Sequence, residues 1–117
     1  MVKEVTFAEF EELKESAINK ILVVDFFAPW CGPCRAIRQT LEKLSEEYPC
    51  EYVEFIAINV DAAFEEVQSI GIRNIPNVHI MWGGESKWQV SGAVEKEVLA
   101  SAIDSVVDTC FPPQSEV

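Results

Sequence analysis

Residues 20 to 28 read Lys20-Ile21-Leu22-Val23-Val24-Asp25-Phe26-Phe27-Ala28, a stretch apolar on both faces of an extended chain. A strand with one face in water alternates polar and apolar residues. One without that alternation has to be covered on both sides, as a central strand of a helix-sandwiched sheet is. Helices are therefore expected on either side of it in the sequence. Asp25 is the one charge inside the run, and a carboxylate in such a strand is costly to ionise.

The flanking segments supply the cover. Lys3 to Thr6 is a short strand candidate, and Thr6 reads as a helix N-cap with Glu9 completing a capping box. Phe7, Phe10, Leu13, Ala17 and Ile18 recur at helical spacing and predict a helix to about Asn19. Beyond the run, Ile37, Leu41, Leu44 and Tyr48 mark one face of a second helix, which Pro49 ends. Cys34, three residues before Ile37, falls on its buried face. Cys31 precedes the helix and is expected to face outward, and Arg35, Arg38 and Glu42 are expected on the outer side.

Glu51 to Val60 reads as a third strand. Asp61 is a candidate N-cap for a short helix carrying Phe64, Val67 and Ile70, with Gly71 as its stop. Ile72 to Pro76 connects to a hairpin of Asn77 to Trp82 and Glu85 to Ser91 around Gly83-Gly84. Gly92 breaks the strand, and Val94, Val98, Leu99, Ala102, Ile103 and Val106 mark a last helix. The order predicts an α/β fold, a central mixed five-stranded sheet flanked by four helices. One domain over residues 1–110 and a frayed tail over 111–117 are expected.

The net charge of −11 over 117 residues argues against nucleic acid and against an anionic membrane surface. At long range it favours partners with a basic patch. The first residues lack the apolar core of a signal peptide, and no apolar run is long enough to span a bilayer. Four cysteines without a dense framework fit a reducing, cytoplasmic setting. The Gly-rich fingerprint of a dinucleotide site is missing, so no cofactor is expected.

Chemistry concentrates where the apolar run meets the second helix, at Pro29-Trp30-Cys31-Gly32-Pro33-Cys34. Zinc normally takes four Cys or His ligands, and Cys50, Cys110 and His79 are too scattered to complete a set, so no metal is expected. A structural disulfide across so small a loop would constrain the unfolded chain little. A redox pair has positive support. Unpaired N–H groups and the dipole at a helix N-terminus favour an anion by about 0.3–1 kcal/mol, and up to about 2 kcal/mol when partly buried. Gly32 permits the tight turn and Pro33 suits the first helical position.

Val24-Asp25-Phe26-Phe27-Ala28-Pro29-Trp30-Cys31-Gly32-Pro33-Cys34 resembles the active-site segment of the thioredoxin family. Gly71-Ile72-Arg73-Asn74-Ile75-Pro76 is similar to that family's approach to a cis-proline, and Val90-Ser91-Gly92-Ala93 to the segment before its last helix. The resemblance implies a thioredoxin fold and a reversible Cys31–Cys34 dithiol/disulfide couple. By the same resemblance Cys31 attacks a substrate disulfide, Cys34 resolves the mixed disulfide, and Asp25 accepts the Cys34 proton through water. Trp30, Gly32, Pro33, Ile75, Pro76, Gly92 and Ala93 would receive an extended substrate segment, as strand addition does.

The implied partners are disulfide-containing proteins, with an NADPH-dependent thioredoxin reductase as electron donor to a monomer. The expected activity is thiol–disulfide oxidoreduction that reduces protein disulfides. The alternatives are a dedicated electron donor to one partner enzyme and a non-catalytic adaptor using the same apolar patch.

Several positions depart from the family's common pattern. Ala57 stands where many members carry a Lys beside the buried Asp, which leaves Asp25 without the usual cationic neighbour. Asn77 replaces a common Thr, Gln39 a helix-kinking Pro, and Phe27 a Trp; the hairpin Met81-Trp82-Gly83-Gly84 is also atypical. These bear on partner choice more than on chemistry. Elsewhere, Cys50 is expected in an exposed loop and Cys110 to pack as a small hydrophobe. A two-residue turn would set His79 opposite Trp88, with Trp82 and Trp88 packing the hairpin.

Overall fold

The apolar run forms strand β2 (Ile21–Phe27), the middle strand of a five-stranded sheet in a computed structural model that describes residues 1–112. Around it the chain builds β1 (Lys3–Glu4), α1 (Phe7–Ser16), α2 (Gly32–Ser45), β3 (Val53–Asn59), a 3-10 turn (Val60–Ala62) and α3 (Phe64–Ser69). The hairpin strands β4 (Asn77–Trp82) and β5 (Glu85–Ser91) and the closing helix α4 (Lys96–Cys110) follow. The sheet order is β1-β3-β2-β4-β5. β3 runs parallel to both β1 and β2, while β4 is antiparallel to β2 and to β5, so the sheet is mixed.

Side-chain alternation along β2 splits the interior in two. Ile21 and Val23 join Phe55, Val78 and Ile80 beneath α2 and α4, where Ile37, Leu41, Leu44, Leu99 and Ile103 close the layer. Leu22, Val24 and Phe26 point the other way, to Phe10 of α1, Val67 of α3 and Ile58 of β3. Burying one such side chain contributes about 1.5–3 kcal/mol, and this strand contributes to both layers at once. Asp25 follows the phase of Val23, so it lies under α2, paired in register with Ala57 on β3 and Val78 on β4.

Local signals account for most boundaries. The Thr6 hydroxyl accepts from the Glu9 N–H at 3.1 Å, and the Glu9 carboxylate accepts from the Thr6 N–H at 3.0 Å, closing the capping box. Four expectations need correction. α1 stops at Ser16, and Ile18 lies beyond it in solvent, 67% exposed. Asp61 caps no helix: Asn59 caps the 3-10 turn by accepting from the Asp61 N–H at 3.0 Å, and α3 has no side-chain cap. A bulge between Ile80 and Met81 moves the hairpin register, so His79 pairs with Gln89 and Ile80 takes Trp88. Phe111, assigned to the tail by sequence, packs edge-on against Trp82 at 5.0 Å and Tyr52 at 5.4 Å. The rest of the tail, residues 113–117, lies outside the described residues. No helix among the described residues is long and apolar enough to cross a membrane.

Candidate active site

β2 ends at Phe27 with Ala28 still buried, and α2 begins at Gly32, so the intervening turn sits over one end of the sheet. The Cys31 N–H donates to the Ala28 carbonyl at 3.1 Å, which tightens that turn. Cys31 is the N-cap of α2, and its Sγ accepts from the Cys34 N–H at 3.2 Å. A sulfur thus fills the place usually taken by a capping oxygen, at the helix end whose free N–H groups favour an anion. The two cysteines are joined by a disulfide across a Cα separation of 5.3 Å.

Both thiol positions are buried: Cys31 is 5% exposed and Cys34 3%. The expectation of an outward Cys31 is therefore corrected. Its side chain folds back over the first turn of α2 and packs with Val60, Ile72 and Cys34, so the inequality of the two sulfurs lies in the cap, not in exposure. Gly32 and Pro33 stand exposed above them.

Around the disulfide the loops converge. Trp30 is 70% exposed, yet its indole N–H donates to Asp61 Oδ2 at 2.9 Å. That bond gives Asp61 its part, which the sequence offered only as a cap. Trp30 shares a cavity of about 390 Å³ with Asp61, Phe64, Ile72, Arg73 and Ile75. The Ile75–Pro76 peptide bond is cis, as the resemblance implies. The next carbonyl is tied down too, because Pro76 O accepts from the Gly92 N–H at 2.8 Å. Gly92 adopts φ +90°, a conformation that favours glycine. Trp30, next to Cys31 in the chain, thus shares a cavity with Ile75, and Gly92, followed by Ala93, is held to Pro76.

Asp25 of β2 is fully buried, at 0% exposure. Burial pushes its carboxyl above the ordinary value, and Arg38 acts the other way, lowering it. Arg38 Nε donates to Asp25 Oδ2 at 3.1 Å, while Oδ1 has no partner among the described residues. Arg38 is not on an outer face: its guanidinium lies 4.5 Å from the centre of the Phe27 ring, and its side chain is 27% exposed. Sequence reasoning missed this residue. Ala57 does leave β3 without a cation beside Asp25, and α2 supplies one instead. A second cavity of about 390 Å³, lined by Phe27, Cys31, Cys34, Arg35 and Arg38, opens beside the pair.

The remaining candidates lie elsewhere. Cys50 is exposed and Cys110 is half-buried against the α4 layer. His79 packs edge-on against Phe26 at 5.5 Å, and its Nδ1 lies 2.8 Å from Ser86 Oγ.

The thioredoxin family model matches residues 1–105 of the chain. A thioredoxin of the alga Pyropia yezoensis is 39% identical over 108 residues, covering 91% of this chain and 97% of its own. A chloroplastic M-type thioredoxin of Zea mays is 40% identical over 86 residues, and there the match spans 74% of this chain and 51% of the relative. Among solved structures, a reduced thioredoxin pre-protein of Schistosoma mansoni aligns with a TM-score of 0.79 at 32% identity, over 89% of this chain and 96% of that one. With its Trp-Cys-Gly-Pro-Cys turn closed by a disulfide, the protein is a thiol–disulfide oxidoreductase. It belongs to the thioredoxin family.

Proposed function

We propose that the protein reduces protein disulfides by a two-step exchange in which Cys31 attacks and Cys34 resolves. The observation that carries this assignment is the capping geometry. Cys31 Sγ sits on the N-terminal N–H groups of α2, where a thiolate is stabilised, and Cys34 sits inside the first turn. In the first step the Cys31 thiolate bonds to one substrate sulfur, and the other leaves as a thiolate. In the second, Cys34 loses its proton, attacks Cys31 Sγ and forms the Cys31–Cys34 bond while the substrate leaves reduced. Two electrons pass from the dithiol to the substrate. Asp25, buried beneath α2 on the strand that leads to the turn, is the acceptor for the Cys34 proton.

The exposed ring of Trp30, with Gly32, Pro33, Ile75, Pro76, Gly92 and Ala93, is the surface on which an extended substrate segment lies. The donor that restores the dithiol is an NADPH-dependent reductase of the family, and we place the cycle in the cytoplasm with the protein acting as a monomer. The test is NADPH consumption with thioredoxin reductase and insulin. Turnover requires the protein and stops in Cys31→Ser; full turnover in that variant would end the assignment.

A further inference from the structure

The exchange just described needs a base under Cys34, and Asp25 is poorly placed to stay ionised without help. Its neighbours on the sheet are Ala57 and Val78, and α4 brings Leu99 and Ile103 to the same layer. α2 adds Ile37 to that layer and reaches the carboxylate with Arg38, one turn after Cys34. Among these residues Arg38 is the one lasting charge, and its Nε–Oδ2 bond at 3.1 Å is the one hydrogen bond the carboxylate receives from the described residues. The guanidinium is itself held in place by the Phe27 ring at 4.5 Å. Arg38 follows Cys34 by four residues on one helix, a spacing that sets Cβ atoms about 5–6 Å apart. Both line the same cavity beside the disulfide.

We propose that Arg38 is the positioning residue of the resolving step: its guanidinium holds Asp25 as the carboxylate that takes the Cys34 proton, the duty that Ala57 leaves open on β3. This rests on Asp25 being the base. The proton moves from Cys34 Sγ to Asp25, the Cys34 thiolate attacks Cys31 Sγ, the Cys31–substrate S–S bond breaks, and the departing thiolate is reprotonated from Asp25 or solvent. Arg38 exchanges no electrons. Burial alone drives the carboxyl upward and Arg38 opposes it, so losing the guanidinium leaves less Asp25 carboxylate at any given pH.

The experiment is stopped-flow oxidation of the reduced protein by dithiodipyridine, a neutral disulfide whose released thione absorbs. The first phase scales with probe concentration and reports Cys31 attack. The second does not scale and reports resolution by Cys34. Arg38→Gln is expected to move the acid limb of the second phase to higher pH, slowing it about tenfold or more on that limb, with the alkaline plateau kept. Arg38→Met, which keeps the stem on Phe27, is expected to behave alike; Arg38→Lys, which keeps a charge, moves the limb back. A carbon-13 titration of the Asp25 carboxyl shows the same upward move in Arg38→Gln. If Asp25→Asn abolishes the limb but the Arg38 variants leave limb and titration unmoved, Arg38 has no such role and the Asp25 assignment stands. If Asp25→Asn leaves the limb in place, the assignment of Asp25 fails and the role of Arg38 fails with it.

Discussion

Asp25→Ala is expected to make the oxidised protein more stable at pH 8, although it deletes a fully buried side chain. The carboxylate has no exposure and, among the described residues, one hydrogen bond to Oδ2 and none to Oδ1. An unsatisfied buried polar atom costs about 1–3 kcal/mol, and an ion pays several kcal/mol of desolvation. The bond from Arg38 returns about 1.5–3 kcal/mol. Removing the carboxylate frees Arg38, already 27% exposed, to reach water, and leaves a gap worth about 1 kcal/mol. The balance is a gain of about 1–3 kcal/mol.

Its pH dependence has a definite sign. The folded value is raised above 3.8, so the native state holds a proton that the unfolded chain has released. The parent protein is free of the penalty below about pH 4 and loses stability as pH rises toward the folded value, after which the loss is constant. The advantage of Asp25→Ala therefore vanishes at low pH. Urea unfolding followed by tryptophan fluorescence at pH 8, 6 and 4 measures it. A variant less stable than the parent at pH 8, or a difference independent of pH, would mean that the buried carboxylate carries no such penalty.

Two further outcomes follow from contacts outside the thiol pair. Burial lowers the His79 value below 6.5 and leaves Nε2 without a partner among the described residues, so the native state keeps His79 neutral while the unfolded chain protonates it. Stability is lost as pH falls below about 6.5, by up to about 1.4 kcal/mol one unit lower, and His79→Leu removes that part of the loss in urea titrations at pH 7.5 and 5.5. Asp61→Ala releases the Trp30 indole from its 2.9 Å bond. It is expected to raise KM for insulin up to about tenfold with little change in kcat, whereas an equal fall in both kcat and kcat/KM would count against a positioning role for that bond.

Much of this was legible in the sequence, and the reasons are local. The Thr6–Glu9 box and the strands β4 and β5 rest on residues within a few positions of one another, and the sequence limits of β4 and β5 match the structure. The apolar run fixes β2 as a covered strand because no phase of it can face water. What escaped was set by distance. Helical phase put Arg38 outside, but its side chain is long enough to reach back to Asp25, thirteen residues earlier on another element. Asp61 looked like a cap because nothing local announces Trp30 as its partner. The bulge at Ile80–Met81 carries no glycine, so the hairpin register could not be read from turn length alone. Cys31 precedes its helix, and only the fold shows its sulfur turned back onto the Cys34 N–H.

The two sulfurs divide the labour of the exchange, and trapping tells their parts apart. Cys34→Ser, incubated with a disulfide-bonded protein and analysed by non-reducing gel and peptide mass spectrometry, is predicted to accumulate a mixed disulfide through Cys31. Cys31→Ser is predicted to accumulate none. A mixed disulfide through Cys34, or trapping in both variants alike, would show that Cys31 is not the attacking sulfur.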